Sequence, residues 1–157
     1  MAFLTTHPIS GQRVAYLQQW ARQAGCGAVV SFVGVVRADW HGSRRVRALF
    51  YEAYAEMAER QIQRLIDGAK ARWWLAAVEV QHRLGLIEAG QISLVVMTAS
   101  LHRAEAYAAS QVLIEQIKQE VPIWKRELYD DGTAQWVACA PLSFTIADPL
   151  GAVHAHV

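Results

Sequence analysis

The stretch ISLVVMTASLHRAEAYAASQVLIEQIKQEVPIWKRELY, residues 92–129, changes its hydrophobic period twice. Ile92–Ser100 is almost wholly apolar, which predicts a strand buried on both faces. Ser100 then offers a hydroxyl suited to capping a helix. From Leu101 to about Glu120 the apolar positions include Ala106, Ala109, Leu113 and Ile117, spaced as one face of a helix requires. Pro122 ends that helix, because a proline disfavours helical backbone in the residue before it. Over Ile123–Tyr129 a strand follows. Alternation puts Ile123, Lys125 and Glu127 on one of its faces and Trp124, Arg126 and Leu128 on the other.

The same grammar extends outward. Residues 11–24 predict a short helix ended by Gly25 and Gly27, and GAVVSFVGVVR (27–37) predicts a buried strand. Gly34 inside that strand marks a bulge or the close approach of another group. ADWHGSRR (38–45) is expected as a polar loop and VRALFYEA (46–53) as a second strand. Residues 56–72 carry an apolar stripe of Ala58, Ile62, Leu65, Ile66 and Ala69, an amphipathic helix. LAAVEVQHRLG (75–85) predicts a strand and LIEAGQ (86–91) its turn. After Tyr129, DDG is a turn and AQWVAC (134–139) a last strand, and the tail from Pro141 is expected to be mobile. Paired strands with short turns favour antiparallel pairing. The expected fold class is α+β, with helices packed on a mostly antiparallel β-sheet in a single domain over 1–157.

Composition narrows the functional classes. A chain of 157 residues is the size of one domain, and 54% hydrophobic residues suffice for a core. The formal net charge of +1 gives no overall field to draw in nucleic acid or an anionic membrane. Cys26 and Cys139 are too few for a disulfide scaffold or a cysteine-built zinc site, and read as free thiols in a reducing cytoplasm. The start MAFLTTHPIS lacks the basic residues and apolar run of a signal peptide. No apolar run approaches the ~20 residues of a membrane span. Six tryptophans are many for this length, and some are expected to face a partner. Trp73 and Trp74 close a helix as core or interface residues, and His82, beside Arg83, reads as structural. No P-loop, dinucleotide fingerprint, Ser-His-Asp order or metal-ligand spacing is present, so neither cofactor nor metal is expected. His154 and His156 in the tail lack a third ligand.

Five cations stand out. His102 and Arg103 follow Ser100 in the first turn of a helix, where unpaired N–H groups and the dipole favour an anion such as phosphate or carboxylate. Two solvated residues at a helix start is the plainer alternative. Arg37 ends an apolar strand before a glycine-containing loop, a common ligand position, though it would serve equally to cap a sheet edge. Lys118 and Lys125 bracket the Pro122-Ile123-Trp124 corner. Burial or a neighbouring cation would adapt such amines to proton transfer or nucleophilic attack. Otherwise they are a helix-end and a strand-surface charge.

Taken together, FVGVVR (32–37), SLHR (100–103) and Lys118 with PIWKRE (122–127) resemble the large, catalytic subunit of molybdopterin synthase. ALFYEAYAEM, HRLGLIEAGQ and GTAQWV add to the likeness, which covers about residues 25–138 and leaves 139–157 as a tail. Three positions depart from the family pattern: Ile123 stands where an aromatic is usual, Ala53-Tyr54-Ala55-Glu56 replaces a His-Tyr-Pro-Gly run, and Trp74 takes a position often held by proline. The resemblance implies a sulfurtransferase of molybdenum cofactor biosynthesis, converting cyclic pyranopterin monophosphate to the molybdopterin dithiolene. Sulfur would come from the C-terminal Gly-Gly thiocarboxylate of a small ubiquitin-like partner, with no metal or ATP. The family assembles as a central homodimer with a small subunit at each end, a heterotetramer. Lys118 and Lys125 would be catalytic, and Arg37, His102 and Arg103 would bind the substrate, drawn from either protomer. The water-excluding wall would be the Pro122-Ile123-Trp124 corner. The competing class is a non-catalytic module that binds a phosphorylated small molecule on the same fold.

Overall fold

A computed structural model describes residues 2–23 and 25–137. Cys139, His154, His156 and the rest of the segment from Ala138 onward lie outside the described residues. The chain runs β1 (Leu4–Thr5), α1 (Gly11–Arg22), β2 (Ala28–Val35), β3 (Trp40–His41), β4 (Arg44–Ala53), α2 (Ala55–Trp73), β5 (Ala77–Arg83), β6 (Gly85–Glu88), β7 (Ile92–Ser100), α3 (Arg103–Glu120), β8 (Ile123–Tyr129) and β9 (Ala134–Val137).

The first sheet has the order β1-β5-β7-β2, antiparallel except for the β1–β5 pair. Its β7 strand is covered on both faces, which explains its unbroken apolar run. On one face Ile9 and Leu17 pack against Val95 and Met97. On the other, the α2 stripe and Ala109, Leu113 and Ile117 of α3 meet Val78, Val80, Leu94 and Val96. Each such aliphatic side chain contributes about 1.5–3 kcal/mol when fully buried. The buried Thr98 hydroxyl donates to the Ala106 carbonyl at 2.8 Å and fixes α3 along β7.

The second sheet is built around β4, which pairs with β8 along Val46–Ala53, with β3 at its start and with β6 in its middle; β8 pairs in turn with β9. All these pairs are antiparallel, so the α+β expectation holds. The chain passes between the sheets at Leu84 and Gly85, where Gly85 takes φ 82°, a left-handed conformation that disfavours other residues.

Three local expectations need correction, and one element, β1, had no expectation to meet. LIEAGQ is not wholly a turn: residues 85–88 form β6 against β4, and only the segment around Gly90 (φ 88°) turns. The 38–45 loop contains a hairpin, Trp40 and His41 pairing with Arg45 and Arg44. The short β1 carries almost no periodic signal in two residues. Ser100 does not cap α3; His102 occupies the cap position in extended backbone (φ −125°, ψ 157°) and the helix starts at Arg103. The Ser100 hydroxyl donates instead to the His102 carbonyl. Gly34 behaves as its position suggests, with a register irregularity between Gly34 and Val35. No helix among the described residues is long and apolar enough to cross a membrane.

Candidate active site

Both sheets and the last turn of α3 wall a cavity of about 840 Å³. The first sheet supplies a row formed by register: His82 of β5 lies opposite Leu94 of β7, which lies opposite Gly34 of β2. All three line the cavity. Gly34 deepens this wall, because a Cβ there would stand 3.2 Å from the Phe32 ring and 3.4 Å from Leu94 Cβ. The second sheet contributes Leu49 and Tyr51 of β4 and Ile123, Lys125 and Glu127 of β8. The alternation read for β8 is therefore the one that folds.

Lys118 and Lys125 both line this cavity. The reason is the corner between them. Val121 still donates its N–H to the Ile117 carbonyl at 3.3 Å, then Pro122 forces extended backbone, and β8 begins at once with Ile123. Lys118 sits in the last helical turn, where the negative dipole end favours a cation. Its ammonium lies 5.8 Å from the centroid of the Phe32 ring. Lys125 is half-buried and pairs in register with Tyr51. Lys118 remains exposed in the single chain.

Arg37 also reaches the cavity, at its rim, with its side chain 80% exposed and ion-paired to Asp39 at 2.8 Å. An exposed pair of this kind is screened and readily exchanged for a better anion. Three cations and three carboxylates, Asp39, Glu115 and Glu127, thus face one space. Asp39 is engaged by Arg37. Glu127 accepts from the Tyr129 hydroxyl at 2.7 Å and lies 3.4 Å from His41 Nε2. Among the described residues neither lysine ammonium stands within 4.0 Å of a carboxylate oxygen. Two ammonium groups are left to meet an incoming anion.

His102 and Arg103 do not join them in one chain. Both are exposed at the opposite end of α3. Fifteen residues of helix separate Arg103 from Lys118, roughly 22 Å at 1.5 Å per residue. Their loop is held where β2 begins: Gly27 N–H donates to the Ser100 carbonyl at 3.0 Å, and a Cβ on Gly27 would collide with the Leu101 carbonyl oxygen.

The corner itself divides. Ile123 walls the cavity, whereas Trp124 faces the other side of β8 and is half exposed. The expectation of a Pro-Ile-Trp wall is corrected to Ile123 alone, as strand alternation requires. His82, read from sequence as structural, is a cavity residue. The signal for it is its place on the face of β5 shared by Val78 and Val80, an imidazole in an apolar row. Burial pushes its pKa down to about 4, with the positive charge of Lys118 acting in the same direction and the hydrogen bond to the Arg83 carbonyl opposing. Among the described residues no three His, Cys, Asp or Glu side chains gather to hold a metal ion.

Fold and cavity define an α+β protein with a charged recess, three cations beside three carboxylates, of the size that takes a small ligand. The chain belongs to the MoaE protein family, whose sequence pattern matches residues 4–120, a span that includes Arg37, His102, Arg103 and Lys118 and ends before Lys125. It is 45% identical over 115 residues to the molybdopterin synthase catalytic subunit of Thermoplasma volcanium, covering 73% of this chain and 83% of that protein. It is 40% identical over 111 residues to the molybdopterin synthase catalytic subunit of Rattus norvegicus, covering 71% of this chain and 55% of the rat protein, so it spans just over half of that relative's length. Among solved structures, the crystal structure of molybdopterin synthase from Staphylococcus aureus superposes with a TM-score of 0.75 at 31% identity, covering 87% of this chain and 96% of that one.

Proposed function

We propose that this protein is the catalytic subunit of a molybdopterin synthase, transferring sulfur to cyclic pyranopterin monophosphate in molybdenum cofactor biosynthesis. The observation that carries this reading is the convergence of Lys118 and Lys125, from a helix and a strand, on one cavity of a family member. The sulfur donor is the C-terminal thiocarboxylate of a small ubiquitin-like subunit. Relatives named as catalytic subunits support the existence of such a partner. A thiocarboxylate is anionic and nucleophilic, and two ammonium groups that no carboxylate oxygen approaches within 4.0 Å among the described residues attract and orient it. Two thiocarboxylates act in turn: each sulfur bonds to one side-chain carbon as a C–O bond of that carbon breaks, one releasing water and the other opening the cyclic phosphate to the monoester, and hydrolysis of each acyl–sulfur bond returns the carrier as a carboxylate. Lys118 and Lys125 move protons through these steps. Ile123, Leu49 and Phe32 lower the local polarity and strengthen the charge interactions.

Arg37 at the rim binds the substrate's phosphate, exchanging Asp39 for it. His102 and Arg103 complete that binding from a second copy of the chain, since their own cavity lies at the far end of α3. The working assembly is a homodimer carrying two small subunits, in the cytoplasm. Lys118→Ala and Lys125→Ala are each expected to lower kcat for dithiolene formation by about 10²-fold or more, assayed with the thiocarboxylated partner. Undiminished turnover in either variant removes that lysine from the mechanism. Binding of the pterin without turnover in the wild-type chain would favour the non-catalytic module instead.

A further inference from the structure

His82 is the neutral polar group in the row that forms the cavity wall on the first sheet. Its Nδ1 lies 2.9 Å from the Arg83 carbonyl oxygen. A carbonyl only accepts, so Nδ1 carries the proton and Nε2 presents a lone pair. The ring is fixed on a second side by edge contact with Tyr51, centroids 4.9 Å apart at 73°. The backbone is fixed as well, His82 N–H donating to the Phe3 carbonyl at 2.8 Å. Among the described residues Nε2 has no hydrogen-bond partner, and it is not among the fully enclosed unpartnered atoms. The residue is 7% exposed and what exposure it has opens on the cavity. A lone pair held this rigidly, against the Tyr51 ring and in a row with Leu94 and Gly34 on the cavity wall, is a receptor for an N–H donor on a flat ring.

We propose that His82 Nε2 is the hydrogen-bond acceptor that reads an N–H on the pterin ring, while the cations of the same cavity take its phosphate. The inference rests on the functional reading above and adds the group that recognises the heterocycle. Near-neutral solutions leave the imidazole uncharged, because burial holds its pKa near 4. It therefore accepts without competing with Lys118 and Lys125 for anions. The facing titratable groups are Lys118 from α3 and Tyr51 from β4.

The test titrates the full-length protein with two probes, cyclic pyranopterin monophosphate and inorganic phosphate. His82→Leu is expected to weaken the pterin about tenfold and to change phosphate affinity by less than about twofold, since one donor loses its acceptor. His82→Gln places an amide oxygen near the same point and is expected to recover most of the lost affinity. Equal pterin binding by wild type and His82→Leu overturns the proposal, and so does a parallel loss of both probes without recovery in His82→Gln. Should His82→Leu fail to fold, 15N spectra of the wild-type protein decide: the unprotonated Nε2 resonance moves upfield when the pterin binds, and an unmoved resonance overturns the assignment. A wild-type chain that ignores the pterin altogether overturns the functional reading itself, a distinct result.

Discussion

Keeping the His82 imidazole neutral has an energetic consequence that depends on pH. In the unfolded chain a histidine titrates at its ordinary 6.5, and in the folded chain His82 titrates at about 4. Between those values the unfolded state binds a proton that the folded state refuses. The stabilisation is therefore complete above about pH 6.5 and is lost progressively down to about pH 4, amounting to roughly 3 kcal/mol. Chemical denaturation across this range should show it, and His82→Gln should flatten the difference; matching slopes in the two proteins would show that His82 titrates normally. The residue also illustrates a limit of reading. That His82 shares a strand face with Val78 and Val80 is visible in the sequence, but what lies above it is supplied by β4 and α3, which are remote in the chain. Lys118 and Lys125 were more legible, because the Pro122 corner between them is local.

Elements carry their own strain, and α2 carries it at its end. Trp74 is the C-cap of α2 in the left-handed region (φ 51°, ψ 47°), where a bulky side chain crowds the following carbonyl. Trp73 is buried while Trp74 is 88% exposed, so the tryptophan pair splits into a core ring and a ring that gains little from packing in this chain. Trp74→Gly relieves the left-handed strain and gives back part of it through the greater freedom of an unfolded glycine. A net gain of about 0.5–1 kcal/mol is expected, read as a higher urea midpoint with an unchanged slope; a lower midpoint would show that Trp74 packs on something. Elements with a strong pattern were readable before the fold was known: β7 follows its unbroken apolar run, β8 its alternation, and α2 its stripe to within a residue or two. Elements without one were not. Residues 85–88 look like a turn because four residues hold too few alternations to register, and only pairing with β4 makes them a strand. The α3 start shifted because Ser100 still belongs to β7, where its hydroxyl donates to the His102 carbonyl rather than accepting from a helix N–H, and the chain stays extended through His102.

At the scale of the whole molecule, α3 keeps two cationic groups apart. Its 18 residues place His102 and Arg103 at one end and Lys118 at the other. No side-chain rotation closes that gap, so a site using all five cations must combine two copies of the chain. Sequence shows which charges exist and how long the helix between them is, but the surface that joins two copies has no periodic signature. The requirement is testable without knowing that surface. In such a shared site Arg103→Ala would inactivate each cavity through the protomer that lends the arginine, and Lys118→Ala would inactivate it through the protomer that owns the lysine. Either variant alone gives a dimer with two impaired cavities. A mixed dimer has one cavity bearing both defects and one bearing neither. Co-expression followed by random pairing should therefore restore about a quarter of wild-type sites, seen as dithiolene formation well above that of either homodimer. Mixed preparations no more active than the parents would mean that Arg103 serves its own chain or no cavity at all, and Arg37 with the two lysines would then have to hold the phosphate and the sulfur donor alone.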